Sequence, residues 1–282
     1  MSYAFFNQLT PNRSKREGNN MFERTKVLEN GALMHEVWDI PYNERFGFDF
    51  YGPTKTEEGF PCFIYFHGGG LKEGKKGDIS SFCHDFIKNG YGFFSVDYPL
   101  YPNTHFPVYL EEAAEAVSFI FDHAGEYGCN GDIYLMGQSA GAYIILMLMA
   151  NKEYFKKVGF DWRRIKGFVS ESGTCTDHIA ILEYEMGLDP FMTRITERSP
   201  IYYIDRNFES SPLLLTYNKD DQFLNRDNGN KILYNQIKHF TNVDATIREL
   251  PGRHCAGTQP NPDGTYNFNE AVYEWLRREE NV

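Results

Sequence analysis

The chain has 282 residues, enough to bury a large core, and its 41% hydrophobic and 24% charged residues are ordinary for a globular protein. A formal net charge of -11, with acidic and basic residues interspersed, excludes the basic patch that nucleic acid or an anionic membrane surface demands, and favours a small neutral substrate as partner. The five cysteines, Cys62, Cys83, Cys129, Cys175 and Cys255, are scattered without a CxxC pair, which predicts neither a disulfide framework nor a zinc site and points to a cytoplasmic setting.

Residues 1 to 45 read as an N-terminal arm, polar and Asn-rich over its first twenty positions, without the continuous apolar core of a secretory signal and suited to strap over a pocket. Strand patterns follow at 46 to 52 and, as the buried run "FPCFIYF", at 60 to 66. A glycine cluster occupies 68 to 70. Helical spacing covers 79 to 90, a strand 91 to 98, and a strong helix-forming stretch 108 to 124. "DIYLMG" reads as a strand ending at Gly137, followed by a buried helix over 140 to 150 and a strand over 165 to 173. Residues 174 to 210 break the rhythm and are expected to form a small cap insertion. Alternation resumes with strands at 212 to 218 and 245 to 250 and helices at 229 to 240 and 269 to 280. Strands separated by helices predict a single α/β domain over 1 to 282, with a mainly parallel sheet covered on both faces. No apolar run is long enough to span a bilayer.

Two stretches carry chemistry. In "YLMGQSAGAY", Ser139 stands between Gly137 and Gly141 where strand passes into helix. A serine hydroxyl is a poor nucleophile, so an enzyme that uses one must hold it exposed beside a base and near oxyanion donors, and a sharp strand-to-helix turn flanked by small residues does this. In "HGGGLKEG", consecutive glycines can aim backbone amides into a cleft, so Gly69 and Gly70, with Ala140 after the serine, are the candidate oxyanion donors. No Lys-Ser/Thr pair or GxGxxG spacing follows to suggest a phosphate loop, and His67 reads as a residue that fixes the loop.

"HGGGLKEG", "SVDYPLYPNTHFP" and "GQSAG", in this order, resemble the α/β-hydrolase superfamily, in particular the hormone-sensitive-lipase-like and feruloyl-esterase-like carboxylesterases and their kynurenine-formamidase-like relatives. The resemblance covers about residues 46 to 280. It implies the α/β-hydrolase fold and the chain order serine, acid, histidine. On that order His254 in "LPGRHCAG" is the base, whereas His239, near a helix end, is not. For the acid, Asp221 is favoured over Asp220 because Leu224, three residues on, suits the family pattern. Asp97 is implied to be structural, and Cys255 a small buried thiol. Leu71 and Asn218 depart from what many relatives carry.

The implied activity is a cofactor-free and metal-free serine carboxylesterase that cleaves short-chain or aromatic acyl esters, with carbohydrate a candidate alcohol portion, through an acyl-enzyme. Ile179, Ile181, Leu182, Tyr184, Met186, Phe191 and Met192 in the insertion are apolar enough to line an acyl site, or simply to pack a cap. Two alternatives stay open: an arylformamidase or peptidase-like amidase with the same triad, and a noncatalytic binding protein on the same fold. A homo-oligomer is compatible with the sequence but not indicated by it.

Overall fold

The computed structural model describes residues 22–28, 31, 33–79, 81–223 and 226–279. Among them nine strands form one sheet: β1 (Phe22–Val27), β2 (Leu33–Pro41), β3 (Gly47–Pro53), β4 (Phe60–Phe66), β5 (Gly92–Val96), β6 (Cys129–Gln138), β7 (Gly167–Glu171), β8 (Leu213–Asn218) and β9 (Ala245–Leu250). Their order across the sheet is β1-β2-β3-β5-β4-β6-β7-β8-β9. The first three strands run antiparallel to their neighbours, and from β5 to β9 every pairing is parallel.

The apolar run of β4 explains why both faces are covered. Cys62, Ile64 and Phe66 point to one side, Phe63 and Tyr65 to the other, and all five are buried. On the first side lie helices α2 (Val108–His123) and α3 (Ala140–Ala150), with short α4 (Glu153–Lys157), α5 (Ile179–Tyr184) and the longer α6 (Arg226–Phe240). The second side is covered by α1 (Ser81–Lys88) and α7 (Asn267–Glu279), which press Phe82, Phe86, Phe268 and Trp275 against the strands. Every residue of α3 is buried, so this helix cannot be amphipathic, and its composition, "AGAYIILMLMA", is accordingly apolar all round.

The expected mainly parallel α/β sheet is present, but the N-terminal arm is not what residues 22 to 41 form. They build the antiparallel pair β1 and β2, which extends the sheet beyond β3. All of β1 is exposed, so no buried face leaves an alternating apolar signature in its sequence. Arg24 pairs with the buried Glu36 and lies over the Trp38 ring at 4.5 Å, a contact that fixes the register of the two strands. The first twenty residues, expected as a mobile arm or a strap over a pocket, lie outside the described residues.

The aromatic excess concentrates under β3 and β5. Phe94 is fully buried, with ring centroids of Phe48, Phe50 and Tyr127 at 5.8, 5.0 and 5.6 Å. Phe94→Ala would leave a cavity among rigid rings that cannot collapse into it. A loss of about 3–5 kcal/mol is expected in urea unfolding, and a loss below 1 kcal/mol would show that this cluster does not hold the sheet together.

Candidate active site

The strand β6 ends at Gln138 and α3 begins at Ala140, so a single residue makes the turn. That residue is Ser139, with φ 52° and ψ -108°, a conformation side chains avoid unless surrounding structure imposes it. The imposition is visible at the flanking glycines. A Cβ on Gly137 would stand 2.3 Å from the Gly141 carbonyl oxygen, and one on Gly141 would stand 2.0 Å from that of Phe66. The Ser139 amide donates to the Glu171 carbonyl at 2.8 Å, which ties the turn to the end of the next strand.

Asp221 and His254 come from loops after β8 and β9, and the sheet brings them to the serine. His254 Nε2 lies 2.7 Å from Ser139 Oγ, and His254 Nδ1 lies 2.7 Å from Asp221 Oδ2. The Asp221 side chain is 2% exposed and that of His254 12%, so the carboxylate is shielded while the imidazole edge reaches the cleft. Asp221 Oδ1 also accepts the Phe223 amide at 2.9 Å, and the Phe223 ring meets the imidazole edge-on at 4.6 Å. Asp220 is exposed, and so is His239 on α6; neither joins the group. Leu224, used to choose between the aspartates, lies outside the described residues.

The glycine loop runs alongside. A Cβ on Gly68 would come within 3.5 Å of the Ser139 Cβ, so the loop packs directly on the serine. Gly69 and Gly70 have φ of 108° and 65°, and among the described residues neither amide has a hydrogen-bond partner. The Ala140 amide opens α3, where helix geometry supplies no partner for it. His67 holds the loop: its Nδ1 donates to the Gly68 carbonyl at 2.7 Å, its ring stacks on Tyr98 at 4.4 Å, and burial lowers its pKa, which keeps it neutral. Asp97 accepts the Lys76 amide at 2.6 Å and so anchors the far end of the loop.

Behind the serine lies a buried polar cluster that motif reading overlooks. The Ser172 hydroxyl, on a residue with φ 52°, donates to Asn218 Oδ1 at 2.8 Å, and Asn218 Nδ2 donates to the Pro251 carbonyl at 3.0 Å. This chain links the ends of β7, β8 and β9. Asn218, unusual on the family pattern, thus clamps the loop of the acid to the loop of the histidine. Glu171 is fully buried beside it, with the Ser172 hydroxyl and Cys255 thiol against its carboxyl; burial above all, and then the nearby Asp221 charge, push it up to about 7. Cys255, at φ 58°, carries a thiol pushed well up by burial and by Glu171. Beyond Asn218 and Cys255, the sequence trace of this cluster is "SESG", polar residues ending an otherwise apolar strand.

The insertion between β7 and β8 lies next to the triad but only partly as expected. Ile179, Phe191 and Met192 line a cavity of about 30 Å³ with Phe223. Ile181 and Leu182 are instead fully buried core, Met186 packs against that core, and Tyr184 is exposed and stacks on Tyr101 at 5.3 Å. Three larger hollows, of about 450, 430 and 560 Å³, are lined by none of the candidate catalytic residues. Among the described residues no three His, Cys, Asp or Glu side chains gather as a metal site, and no helix is long and apolar enough to cross a membrane.

Glu171 gives a stability test with a definite sign. Its carboxyl titrates at 4.5 when unperturbed and at about 7 in the fold, so between these values the folded chain holds a proton that the unfolded chain has lost. Stability therefore falls as pH rises through that window. Glu171→Gln removes the dependence and should gain up to about 3 kcal/mol relative to the wild type between pH 4 and pH 8, measured by denaturant unfolding. A difference independent of pH would contradict the assignment.

Comparison with known proteins finds relatives of parts of this chain and solved structures that match most of its fold. The family profile designated BD-FAE matches residues 48–173, the segment that holds the glycine loop and the serine turn. An AB hydrolase superfamily protein of Schizosaccharomyces pombe is 34% identical over 97 residues, 34% of this chain and 28% of that protein. A kynurenine formamidase of Danio rerio is 26% identical over 121 residues, 42% of this chain and 40% of its own length. The aligned stretches thus span well under half of these relatives. Among solved structures, esterase B from Lactobacillus rhamnosis superposes with a TM-score of 0.71 at 16% identity, covering 90% of this chain and 87% of that one. A bacterial heroin esterase gives 0.66 at 20% identity, covering 93% and 85%. At such identities the superpositions show the fold, and with the strand order they give this chain the α/β-hydrolase fold of these esterases.

Proposed function

We propose that the chain is a serine carboxylesterase acting on short-chain or aromatic acyl esters. The observation that carries the reading is the continuous run of contacts from Ser139 Oγ through His254 to Asp221, at 2.7 Å for each step. Ser139 attacks the ester carbonyl while His254 Nε2 takes its proton, and Asp221 stabilises the imidazolium and fixes the tautomer with hydrogen on Nδ1. The oxyanion forms against the amides of Gly69, Gly70 and Ala140. His254 then donates the proton to the departing alcohol, and water, activated by the same imidazole, releases the acid. The five free cysteines suit action in the reducing cytoplasm.

A small cavity under the insertion favours short acyl groups over long ones. The stretch shared with kynurenine formamidases supports a second reading, in which the same triad cleaves an aryl formamide. Formyl is the smallest acyl group and makes the same tetrahedral intermediate. Turnover of N-formylkynurenine set against p-nitrophenyl acetate separates the two.

Ser139→Ala should lower hydrolysis of p-nitrophenyl acetate by at least about 1,000-fold while the unfolding midpoint stays within a few degrees. Retained turnover would remove Ser139 as nucleophile. Across p-nitrophenyl acetate, butyrate, octanoate and palmitate, kcat/KM should peak at two to four carbons; a maximum at palmitate would contradict the short-acyl reading.

A further inference from the structure

The cavity beside the triad contains an arginine that the mechanism does not use. Arg226 opens α6 and is only 7% exposed, yet among the described residues its Nη1 has no hydrogen-bond partner. It lines the cavity of about 30 Å³ with Thr174, Thr176, Asp177, Phe191 and Phe223. A buried guanidinium is costly to hold unless an anion meets it, and an unpaired buried donor adds to that cost.

The protein's own carboxylates leave this requirement open. Asp221 and Glu171 are the carboxylates whose charge acts on Arg226, but among the described residues neither forms an ion pair with it within 4.0 Å. Asp221 already accepts from His254 and Phe223, and the burial that raises Glu171 to about 7 keeps a large fraction of it protonated at neutral pH. Asp177 lines the same cavity but turns its oxygens to the Thr196 amide and hydroxyl and to the Ser199 hydroxyl, at 2.5 to 3.1 Å. The hydroxyls of Thr174 and Thr176 stand 3.3 Å apart and add donors beside the arginine.

Phe223 joins this cavity to the catalytic group. One ring meets both the His254 imidazole, at 4.6 Å, and the Arg226 guanidinium, at 5.5 Å. A group seated against the arginine is therefore one aromatic side chain away from the base. The cavity has the volume of about two water molecules at about 10–15 Å³ each, which suits the two oxygens of a carboxylate.

We infer that Arg226 is a carboxylate receptor, and that the ester hydrolysed at Ser139 bears a carboxylate on its acyl or its alcohol portion. This rests on the esterase reading and replaces the neutral substrate expected from the overall charge. An arginine fork binds a carboxylate through two parallel hydrogen bonds, and a substrate lacking that group leaves the buried donor unmet, so discrimination is strong.

The test compares succinate with succinamide, a neutral molecule of the same length, as inhibitors of p-nitrophenyl acetate hydrolysis. Succinate should be competitive and at least 10-fold tighter in the wild type, and Arg226→Gln should abolish the preference. Thr176→Val, which leaves the charge in place, should weaken it, so the idea remains testable if the arginine variant fails to fold. Hydrolysis of p-nitrophenyl acetate with no preference for succinate would overturn the receptor and leave the esterase standing. A preference that survives Arg226→Gln in folded protein would equally overturn it. If no ester is cleaved, calorimetric titration of the wild type with both compounds still decides: tighter binding of succinate upholds the receptor while the esterase falls, and equal binding removes both. Monoethyl succinate and O-acetyllactate, each set against its methyl ester, report whether the carboxylate belongs to the acyl or the alcohol half.

Discussion

The site depends on how closely a strand, a helix and a loop approach one another around Ser139. Positions 137 and 141 have no room for a single methyl group, because carbonyl oxygens of Gly141 and Phe66 would stand 2.3 and 2.0 Å from it. This approach forces the serine into its left-handed conformation, lifts its hydroxyl out of the sheet and sets the first amide of α3 beside it. Everything else in the site arrives at a point that the crossing has already fixed. The paired faces of β4 and the all-buried α3 make the crossing rigid, since no residue of α3 has a solvent side toward which the helix could shift.

Around that point the sheet acts as an aligning device. Parallel strands β6 to β9 end at the same edge, so residues 139, 171, 221 and 254, far apart in sequence, come together without any long excursion of the chain. The Ser172–Asn218–Pro251 chain then removes the freedom left in the two loops. Burial matters for energetics as well as position. A shielded Asp221 keeps its influence on His254 in a region of low dielectric, while the same shielding holds the neighbouring Glu171 in its neutral form over much of the acidic range.

Strand and helix positions from residue 46 onward were legible because buried parallel strands leave continuous apolar runs, and β4 and α3 match their expected spans to the residue. The serine and histidine were legible through Gly-x-Ser-x-Gly and through position in the chain. What escaped has a common physical cause. β1 buries nothing, so its strand character is held by pairing and by the Arg24, Glu36 and Trp38 contact, none of which has a periodic signature. Whether Ile181 and Leu182 lined a pocket or packed a cap stayed open in the sequence, because composition does not tell which way a short helix turns its apolar side; both are buried core. Glu171 and Arg226 look like ordinary polar residues, and only their burial reveals them as neighbours of the candidate site, while Asn218 stood out as a departure but without a role.

Three side-chain-bearing residues with positive φ, Ser139, Ser172 and Cys255, lie around Glu171: the Ser139 amide donates to its main-chain carbonyl at 2.8 Å, and the Ser172 hydroxyl and Cys255 thiol lie against its carboxyl. Glycine would relax the backbone at Ser139, so a search for tougher variants would drift toward glycine at the proposed nucleophile, whereas at Ser172 it would also lose the hydrogen bond to Asn218. Durability and the proposed nucleophilic role are therefore opposed at position 139, and laboratory evolution for heat resistance alone would be expected to erode that turn early.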